Sequence, residues 1–277
     1  MSGPDTIFTH DGEQWTPTSA AQGPWGTSLH GGAPAALLAH VLDARESRFP
    51  LARLTLDLFR PVPLAPLTVD VRDLRVGRRL AVREAVLASE GVELVRAVAV
   101  HGDQQPVTGA PAPQPSPVPF DDSVEEQTLG QAATEGTELG PPGGDGLHHR
   151  LLVRRYGGIR GGGHGVAWLR LPLALAPGVP LTPVSHLAAC ADFANGISQR
   201  LVAQGASDGG RAEGRPAGFI NADISLHVLR PPATTAIGMI SRNEVDAAGR
   251  ALVSAECWQD DGLVARIVQT ALVMPRD

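Results

Sequence analysis

One strand pattern, written twice about 170 residues apart, constrains this chain more than any other feature. Residues 219–232 read Phe-Ile-Asn-Ala-Asp-Ile-Ser-Leu-His-Val-Leu-Arg-Pro-Pro. In them Ile220, Ala222, Ile224, Leu226 and Val228 alternate with Asn221, Asp223, Ser225 and His227. Successive side chains on a strand point to opposite faces, so the pattern predicts one buried and one polar face. Arg230-Pro231-Pro232 ends the run, because proline brings no N–H to the ladder. Residues 53–62, Arg-Leu-Thr-Leu-Asp-Leu-Phe-Arg-Pro-Val, repeat both the alternation and the Arg-Pro stop.

The surroundings repeat as well. Strand-like runs at 53–61, 66–76, 79–89 and 92–101 are matched by runs at 217–230, 235–245, 250–260 and 263–274. Gly77-Arg78 corresponds to Gly249-Arg250, and Glu90-Gly91, a hairpin turn, to Asp261-Gly262. A helix precedes each set. The first is opened by His30-Gly31-Gly32 and continues to about Arg45; the second starts at Thr182-Pro183 and is expected to reach about Gln204. Short strands are expected around Ile7-Phe8-Thr9 and Glu13-Gln14-Trp15, and again over His148 to Arg155 and Gly165 to Leu171. Between the halves, prolines at 106, 111, 113, 115, 117 and 119, then Pro141-Pro142-Gly143-Gly144, break regular structure. The expected organisation is an N-terminal unit 1–103, a linker 104–146 and a C-terminal unit 147–277. A long helix buries a whole face when a sheet wraps it. The fold class is therefore α+β, two antiparallel sheets each wrapped around a long helix.

Composition narrows the function. A formal charge of −6 argues against nucleic acid as a partner. The chain holds no lysine, so all 23 basic residues are arginine; coding bias explains this, and phosphate clamping is the functional alternative. Two cysteines, Cys190 and Cys257, imply no disulfide framework and fit a reducing compartment. Neither a signal-peptide pattern nor an apolar run long enough to span a bilayer is evident, and a cytoplasmic location is expected.

Three residues in the second half could carry chemistry. In the helix from 183, Val184, Leu187, Ala188, Ala191, Asn195, Ser198 and Leu201 form a stripe, with Asp192 on or beside it. Burial of that carboxylate would raise its pKa toward base chemistry. It would serve equally as a rim residue bonded to Asn195 or to a loop. Gln269 stands alone among Ile267, Val268, Ala271 and Val273, and its amide needs partners that a neighbouring strand could supply. Asn221 opens its strand, where asparagine is also a common turn residue. It shares parity with Asp223 and Ser225, so it reaches a buried site only at a strand end, through a bulge, or in an interface between the halves. In the first half the counterparts are Leu51, Ala99 and the helix stretch Ala36 to Leu42, so polar groups are expected in one copy only.

The order of elements, Trp25-Gly26 and His30-Gly31-Gly32 before the first helix, and the closing run Asp261 to Thr270 resemble the acyl-CoA thioesterases of the thioesterase II type and their thioesterase-like relatives. The resemblance covers nearly the whole chain outside the linker. It implies a double hotdog, an intramolecular pseudo-dimer that hydrolyses acyl-CoA thioesters without a metal or separate cofactor, coenzyme A being part of the substrate. It also implies that Asp192, Asn221 and Gln269 hold a water against the thioester carbonyl, with Asp192 accepting its proton. Backbone N–H groups at His30, Gly31 and Gly32 are then candidate oxyanion and substrate contacts. A homodimer or higher oligomer of such pseudo-dimers is compatible with the pattern. A non-catalytic acyl-CoA or lipid-binding protein of the same fold is the alternative.

Other chemistries fit less well. The strands do not alternate with helices as they would in an α/β-hydrolase, and no P-loop is available without lysine. His148, His149 and His164 lack a metal-ligand spacing. Asp192 is followed by Phe-Ala-Asn-Gly-Ile, without the histidine that a hotdog hydratase would use.

Overall fold

The computed structural model describes residues 5–24, 26–45, 48–118, 120–121, 123–129, 145–157, 162–198 and 218–274. Trp25, the Pro141–Gly144 break, most of the glycine-rich turn after Gly157 and the helix residue Leu201 lie outside them.

In the first half, β1 (Phe8–His10) and β2 (Trp15–Pro17) form a small hairpin ahead of α1 (Gly32–Arg45). β3 (Leu51–Leu58), β4 (Thr68–Val76), β5 (Leu80–Ser89) and β6 (Val92–Gly102) follow within a few residues of the expected bounds. The β5–β6 turn places both Glu90 and Gly91 at positive φ, 50° and 77°, the pairing that matches strand twist in a two-residue hairpin.

The second half contains β7 (Gln127–Thr128), α2 (Leu147–Arg150), β8 (Leu152–Gly157), β9 (His164–Arg170), β10 (Ala174–Ala176) and β11 (Val179–Pro180). Then come α3 (Pro183–Ala191), α4 (Ala194–Ser198), β12 (Gly218–Asn221), β13 (Asp223–Val228), β14 (Ile237–Val245), β15 (Arg250–Gln259) and β16 (Gly262–Met274). His148, His149 and Arg150 make a helical turn rather than the start of a strand, and the strand begins at Leu152.

The helices are wrapped as expected. Gly32 to Ala39 and Leu42 of α1 are buried, as are Ser185 to Ala191 of α3. A helix buried nearly all round has no polar face to show a strong periodicity. The two sheets are joined edge to edge. β3 pairs antiparallel with β13, so twelve of the described strands form one sheet, ordered β4-β5-β6-β3-β13-β16-β15-β14-β9-β8-β7, with β12 also on β16. Thr55 pairs with Ser225, its own counterpart 170 positions on, while Asp223 faces Asp57 and His227 faces Arg53. A pseudo-two-fold axis therefore passes between Thr55 and Ser225. The architecture is the double hotdog.

Two sequence expectations change at the places that matter. The second helix is not continuous: Asp192 and Phe193 form a turn between α3 and α4, with Phe193 N–H donating to Cys190 O at 3.0 Å. Gln269 Nε2 donates to Ala191 O at 3.0 Å, a carbonyl that would otherwise extend the helical ladder. The strand from Phe219 is likewise two strands. Asn221 is opposite Ala271, but Ser225 is opposite Val268, so the register slips by one at Ala222. This bulge reverses the faces. Ile220, expected inside, is 48% exposed and Ala222 is exposed, whereas Ile224 and Leu226 remain buried.

Candidate active site

The bulge decides where Asn221 points. It leaves Asn221 on the inner face with Ile224 and Leu226, and Asn221 Nδ2 donates to Asp192 Oδ1 at 2.7 Å. The backbone around the bulge is satisfied: Ala222 N–H donates to Thr270 O at 2.8 Å, and Thr270 N–H to Asp223 Oδ1 at 2.7 Å. Gln269 lies two residues along β16 from Ala271 and so shares that inner face. The three second-half residues singled out in the sequence thus gather around the α3–α4 turn.

The first half supplies the other wall. His30 Nδ1 lies 2.8 Å from Asp192 Oδ2, in a carboxylate only 8% exposed. Gly31 and Gly32 make this approach feasible. A Cβ on Gly31 would lie 2.8–2.9 Å from the carboxylate atoms of Asp192, and one on Gly32 would lie 2.7 Å from Ala189 O. The glycines therefore serve a close contact between α1 and the end of α3. Gly32 N–H is 3.1 Å from His30 Nδ1 and also hydrogen-bonds the Asp192 carboxylate. A ring nitrogen facing a carboxylate holds its proton toward it, so Nδ1 donates to Asp192 and Gly32 N–H does the same. The His30 ring lies flat against Phe193, with centroids 4.1 Å apart, and the His148 ring lies nearly parallel to it with its centroid 6.5 Å away.

The electrostatics reverse the expected direction. Burial pushes the Asp192 carboxyl up, but His30's charge and hydrogen bonds from His30, Asn221 and Gly32 together outweigh it. The carboxyl is held below the usual range. Asp192 is a stabilised anion. Asn221 Oδ1 and Gln269 Oε1, in contrast, are buried acceptors without a hydrogen-bond donor among the described residues.

The first-half counterpart is less apolar than expected. Leu51 and Ala99 do stand at the places of Asn221 and Gln269, and a matching bulge falls at Ala52. However, His40 lies within the stretch of α1 compared with Asp192, and fully buried His101 takes the place of Ala271, 3.6 Å from Asp43. Polar groups are present in both copies; the carboxylate–amide set is not.

Two consecutive domain families account for most of the sequence. The acyl-CoA thioesterase N-terminal domain matches residues 21–102, and the acyl-CoA thioesterase C-terminal domain matches residues 106–273. The chain belongs to the acyl-CoA thioesterase family. It is accordingly a thioester hydrolase by class. A hot dog fold protein from Alicyclobacillus acidocaldarius has the same architecture, with a TM-score of 0.70 at 18% identity, covering 99% of this chain and 97% of that one. The acyl-CoA thioesterase II of Mycobacterium marinum aligns with a TM-score of 0.62 at 18% identity over 90% and 91% of the two chains. The tesB protein of Mycobacterium avium subsp. paratuberculosis gives 0.66 at 15% identity over 97% and 96%. No curated protein matches the sequence significantly. Among the described residues of this thioesterase, no helix is long and apolar enough to cross a membrane, and no cluster of metal-ligating side chains occurs.

The histidine is what sequence reasoning missed. His30 was singled out for its backbone, yet its side chain makes the contact with Asp192. Residues 162 positions apart and in different halves carry no local signal of such a pair.

Proposed function

We propose that this thioesterase hydrolyses acyl-CoA thioesters at the seam between its halves, using a water activated through Asp192. The observation that carries this reading is the buried Asp192 carboxylate, held by Asn221 Nδ2 on one side and His30 Nδ1 on the other. Asn221 Oδ1 and Gln269 Oε1 are acceptors to which a bound water can donate, and neutral amides orient it without competing as charges. The N-terminus of α1 at Gly31 lies beside this point and is the assigned donor to the thioester oxyanion. The acyl chain lies between helix and sheet, arginines take the coenzyme A phosphates, and no further cofactor enters the reaction. A homodimer or higher oligomer of the pseudo-dimer and a cytoplasmic setting accompany this reading.

Release of free coenzyme A from a panel of acyl-CoA chain lengths tests it. At least one chain length should turn over, and Asp192→Asn should lower kcat by about 10²- to 10⁴-fold. Binding of acyl-CoA without release of thiol at any chain length would instead identify an acyl-CoA-binding protein of the same fold.

A further inference from the structure

Asp192 has low basicity and little room. Its two oxygens already accept from Asn221 Nδ2, His30 Nδ1 and Gly32 N–H, and the surrounding donors favour its anionic form. A general base works best when its pKa lies near the working pH, which a donor-saturated carboxylate does not meet. His30 is placed differently. Both of its polar contacts use Nδ1, while Nε2 makes no hydrogen bond with a described residue, and the side chain keeps 13% of its surface exposed. Phe193 lies flat against one face of its ring, 4.1 Å away between centroids.

We infer that His30 is a catalytic residue: its Nε2 takes the proton of the attacking water, and Asp192 fixes the tautomer and orientation of the ring. This deepens the proposed thioester hydrolysis and rests on that reading. An imidazole that donates from Nδ1 to a carboxylate presents Nε2 as its lone-pair nitrogen, and the carboxylate stabilises the imidazolium formed in the step. The steps balance. Water oxygen bonds to the thioester carbonyl carbon as its proton moves to Nε2. The tetrahedral intermediate then collapses with cleavage of the C–S bond, and the proton on Nε2 passes to the departing thiolate, giving acid and thiol. Among the described residues, the charged and titratable groups facing His30 are Asp192 at the α3–α4 turn and His148 on α2, with the His149 ring tilted against His148 at 4.1 Å.

Three measurements test the assignment on the full-length enzyme. His30→Gln should lower kcat by about 10²- to 10⁴-fold with KM little changed, and should remove the acid limb that the parent's kcat/KM profile shows against pH. Imidazole added to His30→Ala should restore part of the lost rate, which a purely structural histidine would not allow. In the folded parent, ¹⁵N NMR should show Nδ1 protonated and Nε2 bare when the ring is neutral. Turnover by folded His30→Gln within about threefold of the parent, with the acid limb intact, would overturn the assignment. So would the opposite tautomer in the parent, which decides the case even if a variant does not fold. A parent that releases no coenzyme A from any acyl-CoA would defeat the hydrolytic reading instead, a result distinguishable from both.

Discussion

The two halves share a backbone device and differ in what hangs from it. Each has a bulge near the start of the strand that meets the other half, at Ala52 in one and Ala222 in the other. Each bulge turns the preceding side chain inward. In the N-terminal half that side chain is Leu51, packed in the core; in the C-terminal half it is Asn221, bonded to Asp192. The helix starts differ in a complementary way. α3 is capped by its own Thr182, whose Oγ1 accepts from Ser185 N–H at 3.1 Å. α1 begins on glycines pressed against Asp192, so its N-terminus is met by a carboxylate from the other half. The fold keeps the geometry twice and builds the carboxylate–amide set on one of the two seams.

The largest expected effect comes from erasing that difference. Asn221→Leu combined with Gln269→Ala copies the first-half residues into the second half. It should lower kcat by about 10²-fold while circular dichroism shows the fold retained, because the N-terminal half tolerates both residues at these places. Retention of parental kcat would remove both amides from the reaction.

The helix starts give a sharper contrast of intermediate size. Gly31→Ala forces a Cβ against the Asp192 carboxylate and should cost about 1–3 kcal/mol along with most of the activity. Thr182→Ala removes an ordinary cap, should cost about 1 kcal/mol and should leave kcat close to parental. Denaturant unfolding of both variants, paired with thioesterase assays, separates a cap from a site contact. Equal losses of activity would show that the two helix starts are equivalent after all.

The smallest effect on activity concerns acid. His186 on α3 is buried, accepts Leu171 N–H at Nε2 and has its pKa pushed down to about 4 by burial and then by Arg170. Above about pH 6.5 it is neutral whether the chain is folded or not. As pH falls from there toward 4, the unfolded chain binds a proton that folded His186 refuses, so stability declines by on the order of 3 kcal/mol. Asp192, held below its ordinary value, adds a further loss only as pH falls through the carboxylate range. Urea midpoints measured between pH 7 and 4 should therefore fall with pH, and His186→Asn should flatten that slope while leaving neutral-pH activity within about twofold.

Much of the frame was legible because it depends on local pattern. Alternation, the Arg-Pro stops and the Glu90-Gly91 turn located the strands, and their recurrence revealed the duplication. Asp192, Asn221 and Gln269 were found because polar residues in apolar runs need partners. The details that bring them together were not legible. A bulge is a change of register against a neighbouring strand, so the sequence around Ala222 reads as uninterrupted alternation even though Ile220 ends outside. The helix break after Ala191 depends on an amide from β16 competing for a carbonyl, a contact between residues 78 positions apart. The expectation of an apolar first copy failed on His40 of α1 and on the buried His101, which lies 3.6 Å from Asp43.

The pairing of Thr55 with Ser225 has an evolutionary consequence. A dimer of identical chains joined across such an axis must carry every substitution twice, so its two seams improve or decay in step. Joining the copies through one peptide chain lifts that restriction. One seam can hold a charge, its two amides and an imidazole while the other holds Leu51, Ala99 and the buried ring of His101, and each is exposed to selection separately. The division of labour between the halves is something that only the fused chain can inherit.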